Sequence, residues 1–201
     1  MKHTANRTVN KREISAKRYI DKLQDRNSKL NVVRIDLGYK KPYSDSVTLD
    51  DVNKHIKKIT SDTRSKPSIF EHKVGYIAKK EYTKDKGVHI HAVYFFDGQK
   101  VKNGAYKAKQ IGEYWIESVT GGKGTYHNCN LNADDIYGDN NALGILDHSD
   151  TEKREKLDQA ISYLHKEEQD IAPIKKSKGD RAFVRGIMPK TKNNKGRPRK
   201  S

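Results

Sequence analysis

Apolar residues recur along this chain with two periods, and the switches between them divide it into elements. From Asn10, a side chain suited to capping a helix, KREISAKRYIDKLQDR sets Ile14, Lys17, Arg18 and the stretch Ile20 to Leu23 at helical spacing, with basic residues on the outer face. That predicts a basic amphipathic helix. NVVRIDLG, 31–38, alternates instead, and a strand there puts Val33, Ile35 and Leu37 on one face. Thr48 with Asp51 three residues later resembles a capping box, and Val52, Ile56 and Ile59 carry an apolar stripe towards Arg64, giving a helix that ends near Pro67.

Two runs rich in Val, Ile, Tyr and Phe then flank Thr83-Lys84-Asp85-Lys86-Gly87, which predicts an antiparallel hairpin over 69–96. A helix follows over 105–118 with Ala108, Ile111, Tyr114 and Trp115 inward, then a strand over 125–131. The stretch 134–147 is rich in Asn, Asp and Gly, reads as loop and lacks the ligand spacing of a calcium site. The last helix spans 151–170, where Leu157, Ala160, Ile161 and Leu164 form a stripe, and Pro173 ends it. The order β, α, β, β, α, β, α predicts an α+β fold, an open antiparallel sheet with helices packed on one face, ferredoxin-like in plan.

Charge adds a partner class. Residues 1–30 hold nine Lys and Arg against three acids and 171–201 hold eleven against one, while the middle is balanced, so these ends account for the whole net charge of +16. A neutral body, 31–174, between a basic N-terminal helix and arm, 1–30, and a basic flexible tail, 175–201, is the footprint of a nucleic-acid binder. Near the C-terminus, Gly196-Arg197-Pro198 between basic residues resembles an AT-hook, and an unspecific basic tail fits equally well. Mean hydropathy is −1.02, no apolar run reaches membrane-spanning length, and no signal peptide is visible, so a cytoplasmic, membrane-free protein is expected. The lone Cys129 excludes an intrachain disulfide and a zinc site of several thiolates.

The chemistry-bearing stretch is the hairpin. In a strand, His89 and His91 share a face while Ile90 packs on the other. With eight histidines in 201 residues, chance alone gives about 0.3 such triplets, so the triplet by itself fits an exposed sheet face as well as a metal site. A loop centred on Asp85 places Glu81 directly across from His89; a two-residue turn at Asp85-Lys86 would pair Glu81 with Ile90 instead. Tyr-x-x-Lys occurs four times, at Tyr19, Tyr76, Tyr106 and Tyr163, and only position can choose among them. Tyr163 flanks the apolar stripe of the last helix, with Lys166 on its face. Gly121-Gly122-Lys123-Gly124-Thr125 lacks the spacing of a Walker loop.

His89-Ile90-His91, Glu81 eight positions earlier and the later Tyr163-x-x-Lys166 resemble the HUH endonucleases, in particular single-tyrosine rolling-circle replication initiators. EYTKDKGVHIHAVYFFDG, YWIESVTGGKGTYHNCN and AISYLHK further resemble inovirus-type replication proteins of phages and phage-derived elements, over about 31–170. The resemblance implies a divalent ion, Mg²⁺ or Mn²⁺, on His89, His91 and Glu81, and Tyr163 attacking a phosphodiester to leave a 5′-phosphotyrosine and a free 3′-OH, with Lys166 as electrostatic helper. It also implies single-stranded or hairpin origin DNA as substrate and a bacterial host's helicase and polymerase as partners, while the charge of the tail makes Lys175, Lys176, Lys178, Arg197 and Arg199 the expected phosphate contacts. A relaxase or single-strand transposase with the same site, and a catalytically inactive DNA-binding repressor on this fold, are the alternatives.

Overall fold

The computed structural model describes residues 2–62, 65–164, 171–177 and 180–190, with side chains from Lys11 onward. Its centre is the hairpin of β2 (Lys73–Thr83) and β3 (Gly87–Asp97). Gly87 closes the turn at φ 67°, and a Cβ there would stand 2.5 Å from the Ser44 carbonyl oxygen, so the position needs glycine twice over. β1 (Lys29–Tyr39) pairs with β3 on its other side. β4 (Gly124–Asn128) and β5 (Gly144–Asp147) lie end to end along the far side of β1, and β6 (Phe183–Arg185) pairs with β2. All six strands run antiparallel to their neighbours, in the order β4-β1-β3-β2-β6 with β5 beside β1.

Helices cover both faces of this sheet, not one. On the first face Val33, Ile35 and Leu37 of β1 pack with α2 (Leu49–Ser61) through Val52 and Ile59, and with α4 (Gly104–Tyr114) through Ala108 and Ile111. α3 (Pro67–Phe70) adds Phe70, and a π-helical turn, Trp115–Val119, prolongs α4. On the second face Leu30, Val32, Ile77, Val93 and Phe95 pack with α1 (Lys2–Gln24) and α6 (Thr151–Tyr163), which contribute Ala16, Tyr19, Ile20 and Leu23, and Leu157 and Ile161. The reason lies in β1 and β3: Val32-Val33 and Val93-Tyr94-Phe95-Phe96 are apolar at consecutive positions, so each face carries a surface that must be buried.

The capping box forms as read: Thr48 Oγ1 accepts from the Asp51 amide, and the Asp51 carboxylate accepts from the Thr48 amide. Elsewhere tertiary structure overrides the sequence pattern. α1 starts at Lys2 rather than after Asn10, and Ile14 is exposed while Ala16 and Tyr19 line the buried side. α1 comes close to β2 because Gly75 has no side chain; a Cβ there would lie 2.6 Å from Tyr19 Oη. The boundary drawn at residue 30 therefore cuts through the folded body. The stretch 134–147, expected as loop, shares α5 (Ala133–Tyr137) and supplies β5, whose Leu146 is fully buried.

Part of the stretch expected as tail pairs with the sheet. Ala182-Phe183-Val184 interrupt its basic run with apolar residues, and that short strand closes the open edge of β2. The Lys80 amide donates to the Ala182 carbonyl at 2.7 Å, and Asp180 accepts from the backbone amides of Lys176 and Ser177 and from Asn53 Nδ2 of α2. Residues 165–170, the expected end of the last helix, and 191–201, with the AT-hook-like sequence, lie outside the described residues. No helix among the described residues is long and apolar enough to cross a membrane.

Candidate metal centre

The register of the central hairpin sets Glu81 directly opposite His89, as a loop centred on Asp85 requires. Both side chains point to the second face of the sheet, with His91 one pleat along. Glu81 Oε2 lies 3.4 Å from His89 Nε2 and 3.2 Å from His91 Nε2, and the two imidazole rings stand nearly perpendicular, 5.2 Å apart between centroids. One ligand atom from each of the three residues falls within 4.8 Å of the others. Two imidazoles and a carboxylate converging at that spacing, the histidines only partly buried, can hold a divalent ion with positions left for substrate oxygens.

The neighbours of these three are also charged. Asp36 of β1 pairs with His91 in register, and its Oδ1 accepts from His91 Nδ1 at 2.7 Å. That bond fixes the ring and leaves Nε2 directed at Glu81, the arrangement by which an outer carboxylate orients a metal-binding histidine. Arg34, two residues back on the same face, holds Asp36 at 3.5 Å, and Lys79, almost fully buried, holds Glu81 Oε1 at 2.8 Å. Burial alone would push the Glu81 carboxyl up, but hydrogen bonds from His89, His91 and Lys79 hold it far below the usual carboxylate range. Burial likewise disfavours a charged His91, and the hydrogen bonds to Asp36 and Glu81 outweigh it, raising the imidazole to about 9. Asp36 is lowered for the same reason, His91 and Arg34 overcoming its burial.

A cavity of about 700 Å³ opens over the cluster, lined by His89, His91 and Asp36, by Lys41 and Lys86 at the rim, and by His127 of β4. Asp36 and His127 were not among the residues picked out by motif. A signal existed for Asp36: after Lys29 at its start, it and Arg34 are the charged residues of β1, both at positions facing away from Val33, Ile35 and Leu37. Which residue Asp36 meets depends on the β1–β3 register, and that is a long-range property.

Among the four tyrosines of the Tyr-x-x-Lys pattern, Tyr19 is buried in the core and Tyr76 packs on the first face. Tyr106 is exposed, but on α4, under the first face. Tyr163 is 65% exposed at the end of α6, on the second face, where the histidines are. The next residue, Leu164, shares a small cavity with Arg34 and Val93, the position after His91 on that face. The Tyr163 ring itself lines a separate hollow with Lys17, Asp158 and Ser162 and not the cavity over the histidines. The structure thus gathers Glu81, His89 and His91 and places Tyr163 beyond them on the same face. Lys175 and Lys176 are exposed, with Lys176 Nζ 3.9 Å from Asp50; Lys166, Lys178, Arg197 and Arg199 lie outside the described residues.

The family described as the YagK/YfjJ C-terminal domain matches residues 3–183, from the start of α1 to the first residue of β6. The chain belongs to that family. Its extent agrees with a folded unit that includes α1 and reaches β6. Comparison with curated proteins and with solved structures gives no match.

Proposed function

We propose that this member of the YagK/YfjJ C-terminal domain family is a metal-dependent single-strand DNA nickase and strand transferase of the HUH type, initiating rolling-circle replication with Tyr163 as nucleophile. The observation that carries this reading is the convergence of Glu81, His89 and His91, with the two histidines opening into a cavity, on the sheet face against which α6 docks. Mg²⁺ or Mn²⁺ held by those three would supply Lewis acidity to the scissile phosphate. Lys41 and Lys86 at the rim attract the backbone of the incoming strand, and the basic ends of the chain add salt-sensitive affinity.

Of the four tyrosines in question, Tyr163 alone combines exposure with the face of the histidines. For attack, its ring must turn from the hollow beside Lys17 towards the cavity. The phenol oxygen then forms the bond to phosphorus, a 5′-phosphotyrosine keeps the bond energy, and the released 3′-OH primes a host polymerase. Lys166, one helical turn on in sequence, is the electrostatic helper of this reading, and unwinding falls to a host helicase.

The test uses a random-sequence pool of single-stranded oligonucleotides with Mn²⁺, scored for DNA that stays on the protein under denaturing conditions. The wild-type chain forms an adduct, and Tyr163→Phe, which keeps the ring and removes no packing, forms none. An adduct that survives Tyr163→Phe overturns the nucleophile, and one that survives chelator and the paired substitution of His89 and His91 by alanine overturns the metal site.

A further inference from the structure

A third histidine stands in the same cavity. We infer that His127 is the general acid–base residue of the strand-transfer reaction, giving a proton to the departing 3′-oxygen and taking it back when a 3′-OH attacks the phosphotyrosine. The inference rests on the nickase reading above and adds to it a residue that neither the His-x-His triplet nor the tyrosine pattern contains.

The sheet register places it. Asp36 pairs with His91 across β1–β3 and with His127 across β1–β4, so His127, Asp36 and His91 form one row on one face of three adjacent strands. Neighbouring strands lie about 4.8 Å apart, which sets His127 on the order of 10 Å from His91 along the row. Because the leaving O3′ is bonded to the phosphorus itself, the scissile phosphate must sit over Asp36, between the histidine pair and His127, for the ring to reach that oxygen. Side chains of both residues line the same cavity.

Alternative proton donors there fit less well. Lys41 and Lys86 lie on the rim, and an ammonium gives up its proton at neutral pH less readily than an imidazole. Tyr126 also borders the cavity, but its ring is packed so closely on α4 that a Cβ on Gly112 would overlap it. Asp36 is engaged by His91 and Arg34. The His127 ring is exposed and has no hydrogen-bond partner among the described residues, and β4 ends the sheet on this side, so a strand of DNA reaches the ring without any movement of the fold.

The step balances. The bond from the Tyr163 oxygen to phosphorus forms and the phosphorus–O3′ bond breaks, its electron pair staying on O3′. The imidazolium of His127 protonates O3′ to give the 3′-OH and is left neutral, and the phenolic proton passes to solvent water. In the reverse direction neutral His127 accepts the proton of the attacking 3′-OH as the O3′–phosphorus bond forms, and the phosphorus–oxygen bond to Tyr163 breaks to release a phenolate that takes a proton from solvent water.

The experiment takes the oligonucleotide recovered from the wild-type adduct, maps its junction, and replaces the scissile 3′-oxygen by sulfur, since a thiolate leaves without protonation. Both substrates are followed in Mn²⁺. With the oxygen substrate, His127→Gln slows adduct formation by about 100-fold or more; with the sulfur substrate it matches the wild type to within a few-fold. His89→Ala is slow on both. Equal slowing of His127→Gln on the two substrates, or no slowing on either, overturns the acid–base role while leaving the nickase reading intact. Failure of the wild type to form any adduct overturns both.

Discussion

The two faces of the sheet are made by the same strands and finish differently. On the first face the apolar side chains of β1 and β3 run to the strand ends, from Val33 to Tyr39 and from Phe96 to Val88, under α2, α4 and the π-helical turn. On the second they stop short: beyond Val93 and Ile77 come His91, His89, Lys79 and Glu81, and beyond Val32 come Arg34 and Asp36. One face is a core along its whole length, with Asn31 and Lys80 as buried polar exceptions, Lys80 held by Asn53 of α2. The other is a core at one end, beneath α1 and α6, and a charged cluster at the other end, where a cavity opens. Burial at the apolar end stabilises the fold, while Glu81, His89, His91 and Asp36 at the polar end hold one another by ion pairs and charged hydrogen bonds, which a metal ion can partly replace.

Substitutions at the two ends of this face should therefore divide cleanly. Phe95 is fully buried, and Phe95→Ala leaves a cavity costing about 3–5 kcal/mol, read as a lowered urea midpoint. His89 is partly exposed and its ring contacts are long, 3.4 Å to Glu81 and 3.4 Å to the Gly87 carbonyl. His89→Ala should cost under about 1 kcal/mol. It should nevertheless reduce Mn²⁺ affinity in calorimetric titration by more than the roughly 10–100-fold lost on removing an outer-sphere partner, because a direct ligand is gone. Comparable loss of stability in both variants would erase the distinction between the ends.

The polar end also titrates in a defined direction. In the metal-free protein His91 is held at about 9, above its ordinary 6.5, so its hydrogen bonds to Asp36 and Glu81 contribute fully below pH 6.5 and are lost as pH rises through 9. Glu81 and Asp36 are depressed, and their contribution is present above the ordinary carboxylate range and lost as pH falls below it. With chelator present, stability should thus decline by up to about 3 kcal/mol between pH 6.5 and 9. Saturating Mn²⁺ should remove that decline, since the ion takes the place of the His91 proton and binds only the folded chain. Stability that climbs over this interval in chelator would show that His91 does not hold the proton.

How much of this was legible depended on sequence separation. Glu81 opposite His89 follows from a three-residue loop, Lys84-Asp85-Lys86, a local feature that the polar run Thr83–Gly87 announces. The capping box of α2 is local too. β5 and β6 were hidden because Leu146 and Phe183 sit in stretches whose composition signals loop or tail, and only the open sides of β1 and β2 make strands of them. The second helical layer was readable in principle from the consecutive apolar residues of β1 and β3, which a one-sided sheet does not need. The choice of face for each tyrosine, by contrast, waited on which helix packs where.

Asp36 is the finest probe of the comparison, because it is the residue through which the sheet interior reaches the site. Its carboxylate is not among the three groups whose ligand atoms converge; it accepts the His91 Nδ1 proton at 2.7 Å and is itself held by Arg34. Asp36→Asn keeps the size and can still accept one hydrogen bond, but it removes the charge that favours His91 as a donor and strengthens its other nitrogen as a ligand. Mn²⁺ affinity should fall about 10–100-fold, with adduct formation recovering when Mn²⁺ is raised in proportion. Asp36→Glu, which keeps the charge but lengthens the arm, should fall between Asn and the wild type. An Asp36→Asn chain that binds Mn²⁺ as tightly as the wild type would mean that the His91 ring is oriented by the hairpin alone, and that the polar end of this face is set by β2 and β3 without β1.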